Sequence, residues 1–327
     1  MKGVEFLAAL SLFICLQQSA QACSTPGYVP PSNYELVQAT PRIVVARSKA
    51  ILREQGDRVR YRMEMEVVEN LKGTLPSTGF TVEGFGSFAG RSDETSFRSA
   101  RPGSGGACIA FDYRVGELYV LFLQPLSDGA LRVDWTPYGR VNEEITSLDS
   151  PWLHAVRHYV RVGQYHHAAA RQIALAALAI GWVESRSNLP KAMQDDVADH
   201  FRRSPSNPKD PLAATLKAAF LIPWREGVPP DKARLERINR HLGGLVGRGG
   251  ADALPIFHAL LDQPNWFAFS VPIKAMAKRH PVLAERLKAV QAEESDSLRS
   301  NPDPLSGGLT AFDHARPSWR TPPSNGS

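Results

Sequence analysis

The chain has 327 residues, with 43% hydrophobic and 22% charged side chains, a balance that excludes an intrinsically disordered protein and leaves room for a substantial core. Its formal charge of +5 is modest. The basic residues are interleaved with acids and nowhere form a run of five, so nucleic acid is not an expected partner.

Lys2 opens a short positive region, Phe6 to Leu16 is apolar, and Ala20-Gln21-Ala22 has the small-x-small pattern of a signal-peptidase site. The apolar stretch of about eleven residues is too short for a permanent span, which needs about 20. Residues 1–22 are therefore expected to be a cleaved signal peptide, leaving no transmembrane segment and a secreted or periplasmic product starting at Cys23. Lipid attachment at that cysteine would prefer Leu where Ala20 stands, so simple cleavage is the expectation. Cys15 leaves with the signal. The remaining pair, Cys23 and Cys108, is expected to form one disulfide in an oxidising compartment. Closing a loop of about 85 residues would contribute about 4 to 5 kcal/mol on the chain-entropy account.

Residues 42–141 read as β. Ile43 to Ala46 is a short apolar strand. Val59 to Val67 alternates, with Val59, Tyr61, Met63, Met65 and Val67 on one face and Arg60, Arg62, Glu64 and Glu66 on the other. Asn70 to Gly73 reads as a turn. Phe80–Glu83, Leu118–Leu123 and Leu131–Val133 supply further strands, with Asp128-Gly129 a hairpin turn. Short strands of this kind close most naturally into a small barrel. The polar segment from Gly84 to Ala107 is long for a loop in a compact domain.

Beyond Asp149 the apolar period becomes helical. Ser150-Pro151, Leu189-Pro190, Asp210-Pro211 and Pro230-Asp231 mark helix starts. Ile173 to Val183 is apolar nearly all round, as a central buried helix would be, while Leu235, Ile238, Leu242 and Leu245 line one face of another. Six or seven helices are expected, then a Ser/Pro/Gly/Asn-rich tail with the composition of disorder. The resulting fold is α+β and multidomain: a β-barrel at 23–148, an all-helical domain at 149–295 and a disordered tail at 296–327.

The terminal Cys23, the strand Tyr61-x-Met63-x-Met65-x-Val67-Val68, and the following Leu71-Lys72-Gly73 belong to one ordered pattern. Cys108 in a Gly-rich stretch and Gly116-Glu117-x-Tyr119-Val120-Leu121-Phe122 complete it. Together these resemble the netrin-like module of the tissue inhibitors of metalloproteinases, an OB-type barrel. The resemblance covers residues 23 to about 140. It implies that the α-amino group and carbonyl of Cys23 chelate the zinc of a target protease, with Ser24 and Thr25 beside the specificity pocket. The inhibitors carry a second cysteine where this chain has Thr25. A disulfide that merely tethers the terminus to the barrel is the alternative. The helical half is weakly similar to HEAT-like arrays, through Asp252–Leu261 followed by Trp266–Arg279, and an irregular bundle is the other reading.

Catalytic patterns do not assemble. His154 and His158 share a helical face and His166-His167 follow, but no Glu lies between the first two and Arg157 and Arg161 share their side, so a solvated stripe is expected rather than a metal site. Gly84-Phe85-Gly86-Ser87-Phe88-Ala89-Gly90 misses the dinucleotide spacing, and Ser87 lacks a nucleophile elbow. Trp182, Trp224, Trp266, Phe267 and Phe269 are expected in the core. No catalytic residue, cofactor or metal is expected. The expected role is non-enzymatic binding of a protein or surface component. A metalloprotease is one candidate partner, and an enzyme of unrecognised type in the cell envelope is the remaining alternative.

Overall fold

The computed structural model describes residues 31–54, 60–75, 79–83, 85–86, 97, 112–127, 130–133, 143–180, 188–204, 209–222, 230–263 and 266–300. The fold is mixed α/β, an antiparallel sheet in the N-terminal half and helices in the C-terminal half. Helix α1 (Asn33–Ala39) comes first. The strands are β1 (Arg42–Glu54), β2 (Arg60–Lys72), β3 (Phe80–Glu83), β4 (Phe85–Gly86), β5 (Asp112–Tyr113), β6 (Leu118–Pro125), β7 (Leu131–Val133) and β8 (Glu143–Ile145). Six of them form one sheet in the order β3-β2-β1-β6-β7, with β8 also paired to β6, while β4 and β5 make a separate parallel pair.

Residues 43–46 of β1 and 118–123 of β6 are buried on both faces, which is why each stretch reads as a continuous apolar run. On the inner, concave side Val44, Ala46, Met63, Met65, Val82, Tyr119, Leu121, Leu123 and Val133 pack together. The sheet curls around them until its outer strands β3 and β7 approach within 8 Å between Cα atoms. On the other side Ile43, Val45, Leu118, Val120, Phe122 and Ile145 join a hydrophobic core shared with the helices. That shared core runs across residues 148 and 149.

The period of two in β2 holds from Met63 through Val67, which packs against the inner core, whereas Tyr61 is exposed rather than buried. Met63 and Met65 are buried inside the sheet, and Arg62, Glu64 and Glu66 face solvent. It then breaks. The pairing with β1 skips from Glu69 opposite Val45 to Val67 opposite Ala46, and again between Lys72 and Asn70, as bulged ladders do. After the first irregularity Asn70 reaches Leu75 of the inner core, while Glu69 and Leu71 turn towards the helices. The stretch expected as a turn, Asn70 to Gly73, is thus strand through Lys72. Only Gly73 turns, at φ +67°, where a Cβ would lie 2.9 Å from the Pro41 carbonyl oxygen.

The remaining helices are α2 (Pro151–Gly163), α3 (Ala168–Ile180), α4 (Asn188–Arg203), α5 (Pro211–Phe220), α6 (Pro230–Arg248), α7 (Leu254–Leu261), α8 (Ser270–Ala277) and α9 (Pro281–Ser300). All four proline-marked starts open helices. Asp210 caps α5 by accepting a hydrogen bond from the Ala213 amide at 3.0 Å. Helix α3 is the buried one: every residue from Ile173 to Ile180 is buried, and it packs on α4 and α7. The segments 252–261 and 266–279 each begin with a short 3-10 turn that leads into α7 or α8. Helix α9 continues to Ser300, past the residue 295 boundary drawn from composition, because Pro281 starts a run of good helix formers that extends through the polar residues. The proposed signal peptide and most of the proposed tail lie outside the described residues.

Candidate functional site

Cys23, Ser24, Thr25 and Cys108 lie outside the described residues, as do Val59, Ser87, Asp128-Gly129, Trp182 and Trp224. What is described is the seat immediately after the proposed N-terminal edge. It is built from α1, the end of β2, α2 and α4.

The local sequence Ser32-Asn33-Tyr34-Glu35 makes α1 possible although it is only seven residues long. The Ser32 hydroxyl accepts from the Glu35 amide at 3.2 Å, and the Glu35 carboxylate accepts from the Ser32 amide at 2.8 Å. This capping box is a signal readable in sequence, S-x-x-E, that passed unused among the β strands. At the other end the Lys72 ammonium donates to the carbonyls of Val37 and Gln38, both at 2.8 Å, a cation at a helix C-terminus. Partial burial holds the Lys72 pKa below its usual value.

Helix α1 is then tied laterally. The Asn33 amide donates to one oxygen of Asp196 at 2.7 Å, and the Tyr159 hydroxyl donates to the other at 2.6 Å. Gln38 donates to the Tyr159 carbonyl at 2.8 Å, over Gly163, where a Cβ would meet the Gln38 side chain at 2.1 Å. Ser32 lies 2.9 Å from Nδ1 of His200, whose ring meets Tyr34 edge-on at 5.1 Å. The Ser32 oxygen accepts the Glu35 amide proton and has a second lone pair and its own hydrogen for Nδ1, so the direction of that bond is set by the tautomer of the ring. Burial, outweighing Glu35 and Asp199, depresses the His200 pKa and agrees with a neutral ring. The same burial pushes Tyr34 up to about 12.

This is not a hydrolase site. Ser32 and Glu35 both approach the same nitrogen of His200, at 2.9 and 4.0 Å, whereas a triad places nucleophile and acid on opposite nitrogens. Chemically the cluster is a clamp that fixes where the chain emerges towards its N-terminus.

A second strand of the chain reaches the clamp. Asn33 also donates to the Phe97 carbonyl at 3.2 Å. Phe97 has φ +53°, a left-handed conformation unusual for a bulky residue. Its ring is buried at 5.4 Å from Trp152. Phe97 is thereby held beside α1 and α2.

Other expected positions distribute differently. His154 is not solvated but 8% exposed, because α2 is covered by the sheet on one side and by α1, α3 and α4 on others. His158 is half-buried, and only His166 and His167 are exposed. Arg157 grips Glu69 through Nη2 at 2.6 Å and Nε at 3.3 Å, so its charge is spent on the sheet. Trp266 and Phe269 are core residues, whereas Phe267 is 53% exposed. Among the described residues no group of three His, Cys, Asp or Glu is placed to hold a metal. No helix among them is long and apolar enough to cross a membrane. No protein-family model and no curated protein matches the chain.

Proposed function

We propose that this protein is exported with a cleaved leader ending at Ala22 and binds a protein or surface partner, without catalysing a reaction, through the edge Cys23-Ser24-Thr25. One observation carries the reading: the hydrogen bond from Asn33 to the Phe97 carbonyl brings a residue ten positions after Cys23 beside one eleven positions before Cys108. Two stretches held together in this way favour a Cys23–Cys108 disulfide and a fixed terminus. A fixed terminus loses little conformational entropy on binding. The curled sheet supports a netrin-like barrel of the OB type, since β3 and β7 approach as the closing strands of such a barrel would.

Inhibition of a zinc metalloprotease by the Cys23 amine and carbonyl is the second reading, favoured by the clamp that fixes α1, which begins eight residues after Thr25. A protonated amine has no lone pair for zinc, so inhibition would weaken as pH falls below about 8. Intact mass and N-terminal sequencing should find Cys23 first and unlipidated, and alkylation without reductant should find no free thiol. Zinc proteases are then titrated with the mature, Ala-extended and N-acetylated forms. An added alanine displaces the amine by about 3.8 Å. Inhibition by the mature form alone supports the zinc mechanism, and equal inhibition by all three rejects it. Two free thiols would overturn the anchored edge itself.

A further inference from the structure

An open groove of about 410 Å³ lies between α5 and α6, far along the chain from the N-terminal edge. One wall is made of Ala214, Thr215 and Ala218 of α5, and the other of Arg237, Arg240 and His241 of α6. The spacing explains the arrangement. Positions 237, 240 and 241 are three and four apart and so share one face of α6, and 214, 215 and 218 do the same on α5. Small side chains on one helix leave the space that basic ones line on the other.

The chemistry of the basic wall is one-sided. Arg237 and Arg240 have no ion-pair or hydrogen-bond partner among the described residues, in contrast to Arg157, Arg114, Arg203 and Arg286, which all pair with carboxylates. Like charges at this helical spacing repel, and the carboxylates nearby, Asp210 acting on His241 and Glu236 one turn before Arg240, form no ion pair with either arginine among the described residues. His241 is oriented by Thr215. That hydroxyl donates to the Pro211 carbonyl at 2.8 Å and lies 3.2 Å from Nδ1 of His241, so it accepts the Nδ1 hydrogen and holds the ring against the groove. Two guanidinium forks, which pair with oxyanions in bidentate fashion, and an oriented imidazole form a receptor for several oxygens of one anion.

We propose that this groove binds a phosphate-type oxyanion, either free or as a ligand's terminal group, in contact with Arg237 and Arg240 and beside His241. Phosphate is favoured over a carboxylate because it offers three acceptor oxygens and close to two negative charges to this pair of cations.

The test uses the full exported chain. Inorganic phosphate is titrated by calorimetry, with the His241 ring signal followed by NMR, at low and at physiological ionic strength. Vesicles of phosphatidylglycerol form a separate arm. Arg237→Gln/Arg240→Gln should weaken phosphate binding at least tenfold while leaving the fold intact, since both side chains are exposed. Lys274→Gln/Lys278→Gln removes the same charge from exposed positions of and just after α8, and should change binding less than twofold. Ala218→Leu fills the groove without changing charge and should also weaken binding. Saturable binding of free phosphate that the groove variants lose supports the site, and vesicle binding lost in the same variants alone assigns it to a lipid headgroup. Absence of binding in both arms, or equal loss in the lysine control, overturns the proposal. The Ala-extended form should bind phosphate unchanged, which separates this result from the fate of the N-terminal edge.

Discussion

The two faces of the central sheet are built from the same strands but are stabilised in different ways. The concave face is filled by the sheet itself, with methionine and tyrosine side chains such as Met63, Met65 and Tyr119 closing on Val82 and Val133. The convex face has no partner within the sheet. Ile43, Val45, Val120 and Phe122 are dry because α2 covers them, with Trp152 between sheet and helices. One face therefore belongs to a local unit, while the other makes that unit depend on helical residues that follow it in the chain, beginning with Trp152.

This contrast is most directly broken by cutting the chain. A fragment of residues 23–148 keeps its concave core but exposes the convex one, and is expected to bind a hydrophobic dye and lose a cooperative thermal transition. A sharp transition without dye binding would mean that the convex face is dispensable.

Within the full chain, Trp152→Ala removes a fully buried side chain at the junction and should cost about 3 to 5 kcal/mol in urea unfolding. Its hydrogen-exchange signature sharpens the comparison. Protection should fall in β6 and in α3 together, since one core spans both. Met63→Ala on the concave face should lower protection in the strands first.

Asp196→Ala tests the polar side of the same junction. It removes the carboxylate that accepts from the Tyr159 hydroxyl and from Asn33, which keeps its bond to the Phe97 carbonyl, and about 2 to 3 kcal/mol is expected from the two lost bonds. Tyr159→Phe/Asp196→Ala should recover part of that loss, because a missing pair costs less than a buried orphan.

The smallest effect is on pH dependence. Burial lowers the pKa of His200, His241 and His258 in the folded chain. Below the unfolded value of about 6.5 the unfolded state then binds more protons, so stability falls with falling pH and levels off beneath the folded pKa values. The urea midpoint should be lower at pH 5 than at pH 7.5, and His200→Asn should reduce the difference. An unchanged difference would mean that His200 is not neutral in the clamp.

Local pattern was sufficient for much of this architecture. The alternation at Met63 to Val67, the doubly apolar run at Leu118 to Leu123, and a proline at each of four helix starts all report constraints acting over a few residues, so they are legible without the fold. The capping box at Ser32 was equally legible and shows that α1 could have been found. Three things depended on tertiary structure. The irregularities opposite Val45–Ala46 reverse the facing of Glu69, Asn70 and Leu71, and a change of register has no composition of its own. His154 is dry because several elements surround α2, whereas a helical wheel assumes a single buried side. The clamp joins Ser32 to His200 and Asn33 to Asp196, partners separated by 168 and 163 residues, and only packing brings together groups whose meeting leaves no periodic trace.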